Sequence, residues 1–250
     1  MAKTEDSRVN FGLVGRNISY SFSRGYFKKK FNELGLTNHS YENFDLQEIS
    51  EFPSIFQTES IIKGLNVTIP YKEEVISFLD SLDASAEKIG AVNTIKVDAN
   101  GLQGFNTDAV GFRKSLEPLL KKHHNKALIL GTGGASKAVA YVLENLDIDF
   151  SFVSRSGKKE GFTYEKLNES TIKDHPLIIN CSPVGTFPKI EEKPDLPYTG
   201  IGDTHILYDL IYNPEETAFL KEGKKRGATI TNGLRMLELQ AEKAWEIWNS

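Results

Sequence analysis

The apolar run KALIL (126–130) passes directly into GTGGASKA (131–138). Beyond it, Ala138, Val139, Val142, Leu143 and Leu146 recur at helical spacing, and FSFVS (150–154) then reads as a second strand. Strand, glycine loop, helix and strand in that order leave little choice of fold. They predict two parallel strands joined by a helical crossover, with the helix N-terminus aimed at whatever the loop holds. Gly131 suits the tight turn, while Gly133 and Gly134 lack the Cβ atoms that would keep a pyrophosphate from the backbone N–H groups. PLIINC (176–181) and HILYDLI (205–211) are near-continuous apolar strands, as expected of a parallel sheet covered on both faces.

The first hundred residues also alternate. FGLVG (11–15), SYENFDL (40–46) and IIKGLNVTI (61–69) read as strands. Arg24 to Leu34 reads as a helix, with Tyr26, Phe27, Lys30, Phe31 and Leu34 at its spacing, and 72–82 as another. AVNTIKVDANGLQGFNTD (91–108) is a hairpin pattern turning at Asn100-Gly101, and a helix from Ala109 runs into the polar stretch KKHHNK. Leu234 to Trp248 is an amphipathic helix. The fold class is therefore α/β.

Composition narrows the function classes. With 30 Lys and Arg against 34 Asp and Glu, the net charge of −4 argues against nucleic acid or an anionic membrane as the main partner. The basic runs Lys28 to Lys30 and Lys224 to Arg226 are expected to be solvated on helix faces. The single cysteine, Cys181, forbids an intramolecular disulfide and fits a reducing compartment. No secretory h-region or run of about 20 apolar residues is present, so a cytoplasmic protein is expected. The five histidines lack ligand spacing and nearby cysteines, so no metal site is expected. Neither a GxSxG elbow nor a GxxxxGKS loop occurs.

The end of the second strand after the glycine loop discriminates between dinucleotides. An NAD-specific chain places an acid there for the ribose hydroxyls. This chain has Ser154, Arg155 and Ser156, followed by Lys158 and Lys159, with no acid before Glu160. Two hydroxyls and three cations suit a 2′-phosphate, so the expected cofactor is NADP.

GLNVTIPYKEEV (64–75) carries the other concentration of chemistry. Asn66 and Thr68, two residues apart, share one face of a strand that Pro70 ends. A helix beginning there would hold Lys72 in its first turn, near the positive end of the dipole, where partial burial lowers a lysine pKa and makes it a usable proton donor.

Taken together in order and spacing, these and further segments resemble the shikimate dehydrogenase family almost end to end: SYSFS (19–23), GLNVTIPYKE (64–73), GAVNTI (90–95), GFNTDAVGF (104–112), GTGGASKA (131–138), INCSPVG (179–185), DLIYNPEETAFL (209–220) and NGLRMLELQA (232–241). The resemblance implies NADP-dependent, reversible reduction of 3-dehydroshikimate to shikimate. It implies a substrate-binding α/β domain, residues 1–109 completed by the helix 234–250, and a Rossmann-like NADP domain, 110–233, with the site in the cleft between them. It implies that Ser21 and Ser23 hold the substrate carboxylate; that Asn66, Thr68, Asn93, Asp108, Tyr212 and Gln240 surround the ring; and that Lys72 and Asp108 form the catalytic pair. Gly131, Gly133, Gly134, Ala135, Ser154, Arg155, Ser156 and Lys159 would bind the cofactor's phosphates and adenosine, with Ser182, Gly233 and Met236 near its nicotinamide end. Shikimate and 3-dehydroshikimate are then the partners, with no nucleic acid or membrane, and the chain a monomer or weak homodimer.

The residues themselves accord with these roles without compelling them. Ser21 and Ser23 have the i, i+2 spacing of a strand and can point together at an anion, though serines are also common in loops. Asp108 can equally cap the helix that follows it, Asn93 can satisfy a bend, and Gln240 can face solvent. The family usually has histidine at the place of Tyr20, proline at Arg24, often histidine at Phe27, methionine at Thr186 and asparagine at Ser154. Three alternatives share part of the pattern: a quinate/shikimate dehydrogenase tolerant of NAD, a methylenetetrahydrofolate dehydrogenase, and a silent NADP- or shikimate-binding sensor. The lack of an acid near Arg155 speaks against the first, the twin serines against the second, and the intact Lys72 and Asp108 against the third.

Overall fold

The structure is a computed structural model describing residues 8–19, 21–57, 60–155 and 161–250. The chain divides into two units. One runs to Thr107 and takes in Ala241–Ser250; the other is Asp108–Gln240.

The first unit contains β1 (Val9–Gly15), α1 (Phe22–Glu33), β2 (His39–Asp45), β3 (Ile61–Val67), β4 (Ser81–Leu82), α2 (Ala84–Ile89), β5 (Thr94–Asp98) and β6 (Gly101–Phe105). These strands form one sheet in the order β2-β1-β3-β5-β6-β4. β1 pairs in parallel with both β2 and β3, whereas the β5–β6 hairpin joins β3 antiparallel, so the sheet is mixed. On one face, Phe27 and Phe31 of α1 pack with Phe11, Tyr41, Ala244, Ile247 and Trp248. The other core holds Phe52 and Ile55, from a 3₁₀ segment at Ile49–Phe56, with Leu65, Val75 and Ile95.

The helix expected over 72–82 is not formed. Residues 69–73 are turn, a 3₁₀ segment covers only Glu74–Phe78, and the chain is extended again at Ser81. Local chemistry accounts for this. Val75 and Ile76 are β-branched, and the Ser77 hydroxyl bonds back to the Glu74 carbonyl at 3.0 Å, which competes with helix continuation. Lys72 therefore sits in a turn, and the helix-dipole argument for it lapses.

The second unit contains α3 (Thr107–Leu116, from its second residue), β7 (Lys126–Leu130), α4 (Gly134–Glu144), β8 (Asp149–Ser154), β9 (Gly161–Thr163), α5 (Glu169–Asp174), β10 (Leu177–Asn180), β11 (Ile206–Asp209), α6 (Ala218–Lys224), β12 (Thr229–Thr231) and the first turns of α7 (Leu234–Trp248). Its six strands are all parallel, in the order β12-β11-β10-β7-β8-β9. The progression reverses between β7 and β10, the switch point at which open α/β sheets bind ligands beyond their carboxyl ends. Leu128, Leu130, Ile178 and Leu207 are fully buried in its core, as the apolar strand runs predict.

Among the described residues, no helix is long and apolar enough to cross a membrane. In the basic runs Lys28, Lys29, Lys224 and Lys225 are exposed, as expected. Lys30 and Arg226 are partly buried instead: Lys30 contacts Glu242 at 2.6 Å, and Arg226 pairs with Glu222, which its cationic neighbours hold down to a pKa of about 2.

Candidate active site

The polar centre of the first unit is a buried hydrogen-bonded chain. Asn66 projects from β3, where its Oδ1 accepts from the Tyr41 hydroxyl at 2.8 Å. Its Nδ2 donates to the Asn93 carbonyl at 3.3 Å and to Thr94 Oγ1 at 3.2 Å. Asn93, just before β5, accepts on Oδ1 from the Thr107 N–H at 2.6 Å and donates from Nδ2 to Thr107 Oγ1 at 3.0 Å. Thr68 follows β3 and still pairs its N–H with the Val14 carbonyl at 2.8 Å, so the alternation keeps it on the Asn66 side. The Lys72 carbonyl accepts from the Val92 N–H at 2.7 Å, tying the lysine's backbone to the residue preceding Asn93.

Ser21 and Ser23 are placed differently from the expected strand pair. Ser21 is the N-cap of α1, its Oγ accepting from the Ser23 N–H at 3.2 Å, and Ser23 lies inside the first turn. Capping uses a lone pair of Ser21 and leaves its hydroxyl hydrogen available to an acceptor. No acid occupies the first turn of this 12-residue helix, so its N-terminus suits an anion. The Ser23 side chain is buried near the Tyr41 hydroxyl. Burial raises the Tyr41 pKa, so the phenol stays protonated and donates.

In the second unit, the glycine loop stands at the switch point. Gly131 has φ +106°, and a Cβ there would lie 3.3 Å from the Cys181 and Ser182 backbone, so the fold itself requires glycine. Gly133 has no such requirement: its φ is −78° and a Cβ would meet no protein atom within 4 Å. The open space beside Gly133, at the N-terminus of an 11-residue helix, is where a phosphate fits. Gly134 and Ala135 begin that helix. The Gly131 N–H bonds the Val153 carbonyl at 2.9 Å, placing Ser154 beside the loop. Arg155 is exposed at the end of β8, whereas Ser156, Lys158 and Lys159 lie outside the described residues. On the other side of the switch point, Ser182 donates through N and Oγ to Asn180 Oδ1, at 3.0 and 2.6 Å.

α3 and α7 bring together three more of the expected residues. A Cβ on Gly111 would fall 2.5 Å from the Met236 carbonyl and 3.1 Å from the Gln240 Cβ, so these helices cross with glycine at the contact. Asp108 lies one turn before Gly111, in the first turn of a helix that starts at Thr107 rather than near Ala109. Asp108 and Gln240 are 6% and 7% exposed, so Gln240 does not face solvent as its sequence context allowed, and Asp108 lies inside the first turn instead of capping it. Tyr212 is half-buried beyond β11, and the Gly233 N–H bonds the Ile211 carbonyl at 3.1 Å.

Sequence reasoning did not single out Tyr41, Thr94 or Thr107, which connect the expected residues of the first unit. Tyr41 looks like an ordinary strand aromatic, and the one available signal was its alternation with Asn43 and Asp45 on a polar strand face. Phe27, where the family often has histidine, stacks on the Tyr41 ring with centroids 4.7 Å apart and planes at 10°. Arg24 is exposed, and Tyr20 lies outside the described residues. Among the described residues, no group of three or more His, Cys, Asp or Glu side chains could hold a metal ion.

Residues 13–95 match the shikimate dehydrogenase substrate binding domain. A shikimate dehydrogenase (NADP(+)) of Methanococcus vannielii is 36% identical, with 98% of this chain and 92% of that protein aligned. The chain belongs to the shikimate dehydrogenase family. A second relative of the same name, from Clostridium botulinum, is 38% identical over 95% of each chain. The crystal structure of shikimate 5-dehydrogenase from Thermus thermophilus, in complex with NADP(H) and shikimate, superposes with a TM-score of 0.85 at 29% identity, covering 96% of this chain and 93% of that one. The matched substrate-domain range of this family contains Ser21, Ser23, Tyr41, Asn66, Thr68, Lys72 and Asn93.

Proposed function

We propose that the chain catalyses the reversible, NADP-dependent reduction of 3-dehydroshikimate to shikimate, with the first unit binding the substrate and the second the cofactor. The observation that carries this reading is the buried amide and hydroxyl chain from Tyr41 through Asn66 to Asn93 and Thr107. It lies within a sequence aligned over nearly its whole length with NADP-dependent shikimate dehydrogenases. A small polyhydroxylated acid needs such a set of short donors and acceptors together with an anion end, here the capped start of α1.

The cofactor supplies a hydride to the ring carbonyl carbon. As the carbonyl π electrons move to oxygen, the Lys72 ammonium gives that oxygen a proton, and the reverse reaction returns it. Asp108 supports the ammonium electrostatically. Ser21, Ser23 and the α1 N-terminus hold the carboxylate, while Asn66, Thr68, Asn93, Tyr212 and Gln240 orient the hydroxyls. Gly131, Gly133, Gly134 and Ala135 cradle the pyrophosphate; Ser154, Arg155, Ser156 and Lys159 hold the 2′-phosphate; and Ser182, Gly233 and Met236 border the nicotinamide end. The cytoplasm, which holds NADPH and keeps a lone thiol such as Cys181 reduced, is the compartment we assign.

The test is turnover by the purified protein with shikimate or quinate against NADP or NAD. Shikimate with NADP should give the highest kcat/KM. Preference for quinate with NAD, or no turnover of any pair, would overturn the reading.

A further inference from the structure

Asp209 closes β11 with no solvent exposure, directly across the β10–β11 ladder from Asn180, which closes β10 and is equally buried. One Asp209 oxygen, Oδ1, accepts from Asn180 Nδ2 at 3.0 Å and from the Ile211 N–H at 3.1 Å. The other accepts from the Thr217 hydroxyl at 2.6 Å, and Thr217 caps α6. With its Nδ2 held, the Asn180 amide presents Oδ1 to both the N–H and the hydroxyl of Ser182. Along the other branch, the Ile211 carbonyl receives the Gly233 N–H, and Tyr212 is the next residue. Two N–H donors and a hydroxyl converge on this one buried side chain, and a carboxylate can accept from all three.

We propose that Asp209 is a positioning residue of the cofactor site: through Asn180 it sets Ser182, and through Ile211 it sets the turn bearing Tyr212 and contacting Gly233, so that both loops flanking the nicotinamide end are held from one buried anchor. This deepens the function proposed above and rests on its assignment of Ser182 and Gly233. Burial pushes the Asp209 carboxyl up to a pKa of about 6, against the pull of its three donors, and still leaves it ionised at pH 7.5. Thr217 supplies the contrast, since it is the anchor's bond to α6 and leads to neither loop.

The experiment compares Asp209→Ala, Asn180→Ala, Thr217→Val and Asp209→Asn in the whole enzyme at pH 7.5, by thermal unfolding, steady-state kinetics and the fluorescence lifetime of bound NADPH. Displacing a group that orders the reacting end should lower kcat about tenfold or more in Asp209→Ala and Asn180→Ala, with KM for NADP changed less than about threefold. Bound NADPH should show a shortened lifetime in the same two variants. Thr217→Val should lower Tm but keep kcat and lifetime. Asp209→Asn, whose amide can keep Oδ1 toward Asn180 and Ile211 and donate to Thr217, should restore both readouts. If Asp209→Ala does not fold, Asn180→Ala breaks the same relay with the carboxylate retained. Equal losses of Tm in all the truncated variants, with unchanged kcat and lifetime, would overturn the proposal and leave Asp209 a structural residue. Absence of wild-type turnover would refute the assigned reaction instead, while the NADPH lifetime would still decide the role of Asp209.

Discussion

Replacing Tyr41 with phenylalanine tests whether the first unit's buried chain prepares a binding site. The ring would remain, stacked on Phe27 at 4.7 Å, so no cavity opens and the change is confined to one oxygen. Asn66 Oδ1, inside the protein, would lose its 2.8 Å donor. Leaving such a group unsatisfied costs about 1–3 kcal/mol. Taking about 2 kcal/mol, Tm should fall on the order of 5 °C for a chain of this length. Both tryptophans of the chain, Trp245 and Trp248, pack in this unit, so their fluorescence reports its unfolding. Asn66 would also lose one of the bonds that fix its orientation. A binding deficit of about 1.4 kcal/mol then raises KM for shikimate about tenfold, with KM for NADP unchanged. A lower Tm with unaltered KM would reduce Tyr41 to a sheet brace. No change in either quantity would refute the hydrogen-bonded chain altogether.

Lys72→Ala should lower kcat about 10²–10⁴-fold with a smaller effect on KM, and near-normal turnover in steady-state assays would remove Lys72 from the proton transfer. Arg155→Asp should reduce the NADP-to-NAD ratio of kcat/KM by more than about tenfold, because it deletes a guanidinium partner of the 2′-phosphate and adds a like charge; an unchanged ratio would make the loop mere surface. Gly111→Val, whose side chain would drive into the Met236 carbonyl, should lower Tm by several degrees and shift Gln240, so a wild-type melting curve would contradict the close helix crossing. For Asp209, a folded pKa of about 6 against an ordinary 3.8 means that the native state binds the proton more tightly than the unfolded chain. Its contribution to stability is thus complete below about pH 4 and lost as pH rises through 6, by about 3 kcal/mol in all, so stability measured against pH should follow a flatter course in Asp209→Asn.

The second unit was the more legible of the two. KALIL, PLIINC and HILYDLI are apolar because both sheet faces are covered, and a glycine loop between strand and helix has few other uses. β12, α5 and α6 carry only short or weakly periodic patterns and gave no comparable signal. In the first unit, Lys72 and the two serines were found as residues but set in the wrong local frames. Periodicity over 72–82 matched a helix that β-branching and the Ser77 back-bond prevent, and i, i+2 spacing at Ser21 and Ser23 is shared by a strand and a capped helix start. Tyr41 was invisible as a connector because its bond to Asn66 reaches from β2 across β1 to β3, and no local pattern encodes that strand order.

The last turns of α7 belong to the sheet of the first unit. Trp248 lies against Phe11 and Phe27, its Nε1 donating to the Ile95 carbonyl at 2.9 Å, and Lys96 reaches the Ser250 carbonyl at 2.8 Å. During synthesis, the strands of that sheet leave the ribosome well before the helix that covers them, because the whole of the second unit is translated in between. The unit that begins the chain is therefore the one completed last. Until Trp248 emerges, the Phe11 and Phe27 face remains open to water and to other chains, a hydrophobic surface of the kind that chaperones bind. The parallel sheet of the second unit, whose strands and helices are contiguous in the chain, has no such wait.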